Sequence, residues 1–156
     1  MRKVIIVFVI FMGFMDNIMA QNPDYLFMIE NACKAPSGHN TQPWLFKIRE
    51  SEIDIYPDLS KELPVVDSSH RELFVSLGCA TENLCIAAQE KGYQTEVKVI
   101  KDSFIRVLLT KDKKKQFDSS LFSQIAVRQT NRSVYDGKEI PKDSINLLKA
   151  TSNDPS

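Results

Sequence analysis

Two segments of this 156-residue chain combine residue types that could hold a ligand. In the first, Ala35-Pro36-Ser37-Gly38-His39-Asn40-Thr41-Gln42-Pro43-Trp44, hydroxyl and amide groups follow one another, and a glycine lets a ligand approach the backbone closely. Such a loop suits a planar, polar heteroaromatic molecule. The same composition also describes a loop that satisfies its own backbone through Asn and Ser turns. In the second segment, Arg128-Gln129-Thr130-Asn131-Arg132-Ser133-Val134-Tyr135, two arginines flank hydroxyl and amide groups. Fixed charge and paired N–H donors suit a phosphate, although two arginines on a polar loop are also ordinary surface.

The remaining chemistry-bearing residues point elsewhere. Cys33, Cys79 and Cys85 form no C-x-x-C pair and have no metal-ligand spacing to His39 or His70, which argues against zinc. Six residues of helix separate Cys79 from Cys85 by about 240° around the axis, so they cannot bridge, and all three thiols read as buried small hydrophobes. His39 reads as a loop-orienting residue and Arg71 as a first-turn surface residue. The basic run Lys111, Lys113, Lys114 and Lys115 is broken by Asp112 and reads as a solvated loop. Asn131-Arg132-Ser133 matches a glycosylation sequon, which we take as chance.

Elements that could position these groups can be read from pattern. Asn22 followed by Pro23 starts a helix whose apolar face is Tyr25, Ile29, Ala32 and Cys33 and which ends near Lys34, before Pro36. An irregular loop over 35–43 follows. Trp44, Phe46 and Ile48, then Ile53 and Ile55, alternate with polar positions across Glu50-Ser51-Glu52 and predict a hairpin, with Trp44 on the core side. Ser69 and Glu72 form a capping-box pattern that opens a helix with the stripe Leu73, Leu77, Ala80, Leu84 and Ala87, ending at Gly92. A second hairpin is predicted from 95–101 and 104–110, a short helix over 121–127, an irregular stretch over 128–138, and a helix over 141–150. Hairpins packed by helices imply an α+β fold with a largely antiparallel sheet flanked by helices.

In order and wording, helix, then A-P-S-G-H-N-T-Q-P-W, then strand resembles the flavin-contacting loop of the FMN-dependent nitroreductase family. R-Q-T-N-R-S-V-Y at 128–135, followed by Ile140-Pro141, is similar to that family's phosphate motif in its two-repeat branch, as is D-S-S-H-R-E-L at 67–73 with S-L-G-C-A at 76–80. The resemblance covers nearly all of 22–150. It implies FMN contacts from Pro36, Ser37, Gly38 and Asn40, a phosphate site at Arg128, Thr130 and Arg132, and Gln42 and Pro43 holding the loop to its strand. It also implies NAD(P)H as electron donor, and nitroaromatics, quinones or similar small molecules as acceptors. No side chain is expected as a catalytic acid or base, because hydride chemistry belongs to the flavin.

By the same resemblance, 21–127 corresponds to a first nitroreductase-like half and 128–156 to the start of a truncated second half. Single-repeat members complete the site by dimerising. A homodimer, or pairing with a fuller homologue, is therefore expected, with Ser37, Gly38 and Asn40 of one subunit facing Arg128, Thr130 and Arg132 of the other. Non-catalytic flavin binding and a cofactor-free assembly role are the alternatives.

Arg2 and Lys3 precede twelve apolar residues at 4–15, and Ile18-Met19-Ala20 offers a small-residue cleavage site. The stretch is shorter than the roughly 20 residues that cross a bilayer, so 1–20 reads as a signal peptide and the chain as exported; uncleaved, it would anchor the chain to a membrane. Export would remove the chain from a cytoplasmic reductant and leave the donor open. The 20 basic and 20 acidic residues balance, which argues against a nucleic-acid partner.

Overall fold

The computed structural model describes residues 22–101, 103–112 and 120–150. The leader segment and the lysines at 113–115 lie outside the described residues. Helix α1 (Pro23–Ala32) opens as the sequence predicts, with Asn22 Oδ1 accepting from the Asp24 amide at 3.0 Å and Pro23 at the first helical position. Its inward face is rotated from the expected one. Tyr25, Met28, Asn31 and Ala32 are buried, while Ile29 and Cys33 are half-buried at the margin.

Strands β1 (Trp44–Ile48) and β2 (Glu52–Pro57) form the first hairpin, with Ile48 opposite Ile53. Strands β3 (Tyr93–Ile100) and β4 (Phe104–Lys111) form the second, and β4 pairs antiparallel with β2, giving one four-stranded sheet in the order β1-β2-β4-β3. The protein is α+β with an antiparallel sheet flanked by helices. Lys111 belongs to β4, where its ammonium bonds Asp24 and the Lys91 carbonyl at 2.9 and 2.8 Å, and is not part of a free solvated loop.

Helix α2 (Arg71–Glu90) lies between the sheet and α1. Leu73, Leu77, Ala80, Leu84 and Ala87, the stripe read from the sequence, are all buried. They meet Ile53, Ile55, Ile105 and Val107 from the sheet and Met28 from α1. Each fully buried aliphatic side chain contributes about 1.5–3 kcal/mol relative to exposure. Asn83 Nδ2 donates to the Asn31 carbonyl at 3.2 Å and ties the two helices. Gly92, at φ 74°, ends the helix in the left-handed conformation that glycine adopts without penalty.

The start of α2 departs from the expected capping box. His70, at φ 58°, occupies the cap position but its side chain caps no helix amide, its Nε2 lying 2.8 Å from Glu62 Oε2, and Ser69 plays no part. Asp67 takes the role: its buried carboxylate accepts from the Leu73 amide at 2.9 Å. Burial pushes the Asp67 carboxyl up, but the amides of Leu73, Glu72 and Arg71 outweigh it and hold the group below its ordinary range. An ionised carboxylate satisfies several free helix amides at once, where a serine hydroxyl satisfies one. Glu72 is thereby released from capping.

Beyond β4, α3 (Phe122–Val127) buries Ile125 and stacks Phe122 on Phe27 of α1, with ring centroids 5.4 Å apart. Residues 128–141 are irregular, and α4 (Lys142–Ala150) follows. Every residue from 128 to 150 is exposed.

Candidate functional site

The loop after α1, expected to be irregular, contains a single 3-10 turn (Gly38–Asn40). His39, Asn40 and Gln42 have φ of 50°, 57° and 51°, a left-handed region that costs a side-chain-bearing residue about 1 kcal/mol or more. Short hydrogen bonds hold them there. Ser37 Oγ accepts from the Gln42 amide at 2.9 Å, the Ser37 carbonyl from the Asn40 amide at 3.0 Å, and the Gly38 carbonyl from both the amide and the hydroxyl of Thr41 at 3.0 Å. Gln42 and Pro43 anchor the loop as expected, but through their carbonyls. That of Gln42 accepts from Lys61 Nζ at 3.1 Å and that of Pro43 from the Asp58 amide at 3.0 Å. Trp44 is buried in the core at the start of β1.

This bonding determines what the loop can offer. The lone pairs of Ser37 Oγ are partly engaged, so its hydroxyl proton remains for an acceptor. Gly38 has both backbone polar groups engaged, its amide with Ser76 Oγ at 3.2 Å, and it presents an unsubstituted Cα. A Cβ there would lie 2.9 Å from Glu72 Oε2. Asn40 is exposed, as is His39.

Pro36, Ser37, Gly38 and Asn40 form one wall of a cleft of about 460 Å³, and Arg128, Thr130 and Arg132 form another. All seven residues singled out in the sequence therefore line one cavity, and they do so within a single chain. The segment following α3 runs back past the N-terminal half of α2 and brings the two segments together. Arg128 Nη1 bonds Thr130 Oγ1 at 3.2 Å, which orients its guanidinium.

The floor of the cleft was not anticipated. It is the face of α2 carrying Arg71, Glu72, Val75, Ser76 and Cys79. The spacing of Glu72, Val75, Ser76 and Cys79 marks one helical face, and that periodicity was the available signal. Arg71, read as a plain surface residue, is exposed but lines the cleft. Three guanidiniums thus surround the cavity against one carboxylate, that of Glu72. None of the three is ion-paired among the described residues. The cavity has the size of a small-molecule or cofactor site and a net positive rim suited to an anion.

Cys85 is buried and Cys33 and Cys79 are half-buried, so only the first fully meets the expectation of an enclosed small hydrophobe. Among the described residues, no group of three or more His, Cys, Asp and Glu side chains could hold a metal ion, and no helix is long and apolar enough to cross a membrane.

No family model matches the chain. It is 30% identical over 124 residues to the Mycobacterium tuberculosis protein named "Putative NAD(P)H nitroreductase Rv3131", an overlap covering 76% of this chain and 36% of that relative. A second M. tuberculosis protein with the same designation, acg, is 29% identical over 69 residues, covering 44% of this chain and 21% of the relative. A third, the uncharacterized protein Rv3127, is 29% identical over 70 residues, 42% of this chain and 20% of its own length. These similarities support the nitroreductase family. The chain spans little more than a third of the length of the first relatives it matches.

Proposed function

We propose that the cleft is an FMN site and that the chain belongs to an NAD(P)H-linked oxidoreductase of nitroreductase type, of the two-repeat branch. The observation that carries this reading is the convergence of the 36–40 loop and the Arg128–Arg132 segment on one cavity. The residues present fit the group. Arg128 and Arg132, which form no ion pair among the described residues, offer two guanidiniums to a terminal phosphate, with Thr130 Oγ1 between them in sequence and bonded to Arg128. The Ser37 hydroxyl proton and the Asn40 carboxamide suit the carbonyl and ring-nitrogen edge of a flavin; the bare Cα of Gly38 lets the loop pack closely on Glu72 of the floor helix. Val75 provides an apolar surface on the floor.

Bound there, FMN would supply hydride acceptance and onward electron transfer to a nitroaromatic, quinone or similar acceptor. This chain's own residues would bind and orient. The arginines fix the phosphate end, the loop fixes the ring edge, and the α2 floor sets the depth. No side chain in the cleft is assigned as catalytic acid or base.

The unburied stretch from 128 to 150, with Val134, Tyr135, Ile140, Leu147 and Leu148 exposed, favours association as well, with a second copy or a fuller homologue. Export through the 1–20 segment remains part of the proposal. The deciding experiment is titration of the full chain with FMN and with riboflavin, followed by flavin fluorescence and the visible spectrum. Binding of FMN at least tenfold tighter than riboflavin supports a phosphate site at the arginines. No uptake of either flavin overturns the reading.

A further inference from the structure

We infer that Ser76 is a positioning residue for this site: its buried hydroxyl fixes the Gly38 peptide, and through it the ligand-facing side of the loop. The inference rests on the FMN reading above.

Ser76 lies in the second turn of the floor helix and is 2% exposed. Its hydroxyl donates to the Glu72 carbonyl one turn back at 2.7 Å. That bond commits the only proton and leaves the oxygen lone pairs as acceptors. The Gly38 amide donates to them at 3.2 Å. A serine hydroxyl bonded back to its own helix is neutral to slightly unfavourable for the helix, so helix stability alone gives no reason for a serine here. What the hydroxyl adds is an acceptor for the amide of the half-buried Gly38.

The geometry makes this one bond consequential. The Ser37–Gly38 peptide is held at its carbonyl by the Asn40 amide and at its N–H by Ser76, so the orientation of this peptide plane is set at both ends. Ser37 supplies the carbonyl half of that peptide, and Asn40 is bonded to that carbonyl through its amide. A rotation of the Gly38 amide toward water would carry the Ser37 hydroxyl and the Asn40 carboxamide with it. Glu72 Oε2 is packed at the position a Gly38 Cβ would take, so the loop has little room to shift along the helix without displacing that carboxylate. Ser76 therefore acts on the ligand through Gly38.

The test uses the full chain and three variants, with FMN affinity, the visible band of bound FMN, and hydrogen exchange of the Gly38 amide as readouts. Ser76→Ala removes the acceptor; FMN Kd is expected to rise about tenfold, and Gly38 exchange to speed up by a similar factor, while neighbouring amides in α2 keep their protection. Ser76→Thr keeps the hydroxyl and is expected to restore both to within about twofold. Ser76→Cys keeps the volume but is a poor acceptor, and is expected to behave as the alanine variant even if alanine fails to fold. Parental FMN affinity and spectrum in the alanine or cysteine variant overturn the inference, as does weakened binding with unchanged Gly38 exchange. A folded threonine variant as weak as alanine also overturns it. Absence of FMN binding by the parent chain overturns the flavin reading and this inference together.

Discussion

The Asp54 carboxylate has no exposed surface and accepts from Arg106 Nε at 2.7 Å, its direct partner in the β2–β4 register. Arg106 Nη2 and Arg49 Nε reach the second oxygen, each at 3.0 Å, and both arginines also contact Glu52 at 3.2 and 3.1 Å. The Arg106 hydrogen bond holds the carboxyl below its ordinary value of 3.8; burial opposes this and Arg49 reinforces it. The folded carboxyl titrates lower than the unfolded one. Its contribution to stability is therefore complete above about pH 5 and is lost as pH falls through the ordinary value and then the lowered one. Asp54→Asn is expected to destabilise the fold by about 1.5 kcal/mol at pH 7, because it removes a charge-assisted acceptor while the partly exposed guanidiniums of Arg49 and Arg106 regain water. Urea midpoints at pH 7 and pH 3 check this. A variant as stable as the parent at pH 7, or one whose deficit does not shrink at pH 3, contradicts it.

Gly38→Ala tests the close approach between loop and helix. The added Cβ meets the far end of the flexible Glu72 side chain at 2.9 Å, so Glu72 is expected to swing into the cleft without loss of the fold. FMN affinity should fall about tenfold, with a thermal midpoint close to that of the parent. Adding Glu72→Ala should recover most of the loss. Failure of the double variant to recover would place the defect in the loop backbone.

Much of this arrangement can be read from the sequence, for reasons that differ by residue. The Leu73–Leu77–Ala80–Leu84–Ala87 stripe and the Ile53/Ile55 alternation are local periodicities, and local periodicity reports which face is buried. Asp54 was hidden because its burial depends on Arg106, 52 residues away, and a charged residue at an alternating strand position reads as solvent-facing. Asp67 was hidden because it caps from a distance: Leu73 is six residues on, whereas a capping box spans three. The convergence of the seven cleft-lining residues was legible only through resemblance, since 88 residues separate Asn40 from Arg128 and no local rule brings them together. The α2 floor needed the fold to show which helical face looks outward into the cleft.

Gly78 lies mid-way along α2, where glycine costs about 1 kcal/mol relative to alanine. A Cβ there meets nothing within 4 Å. Gly78→Ala is therefore expected to stabilise the chain by about 1 kcal/mol, read as a higher denaturant midpoint with an unchanged slope. Destabilisation would show that the helix surface at Gly78 is covered in solution.

Cys85 is buried, and desolvation pushes its thiol up to about 11, against a hydrogen-bonded contact with Thr95 that lowers it. A thiol reagent at pH 8 should modify Cys79 and Cys33 in the native chain and reach Cys85 only on unfolding. Mass mapping of labelled peptides checks this. Labelling of Cys85 at the rate of Cys79 would mean that the core between α2 and the sheet opens readily.

The absence of any buried side chain between residues 128 and 150 links occupancy of the cleft to the chain's own order. The arginine wall is anchored upstream, where α3 packs Phe122 on Phe27 and buries Ile125, while the opposite wall is fastened to α2 and β1. A ligand spanning both would add a tether beyond α3, so its dissociation constant would include the free energy of fixing the segment that carries Arg128 and Arg132. Protection of this stretch from proteases should then follow ligand concentration, while the sheet and α2 stay resistant throughout.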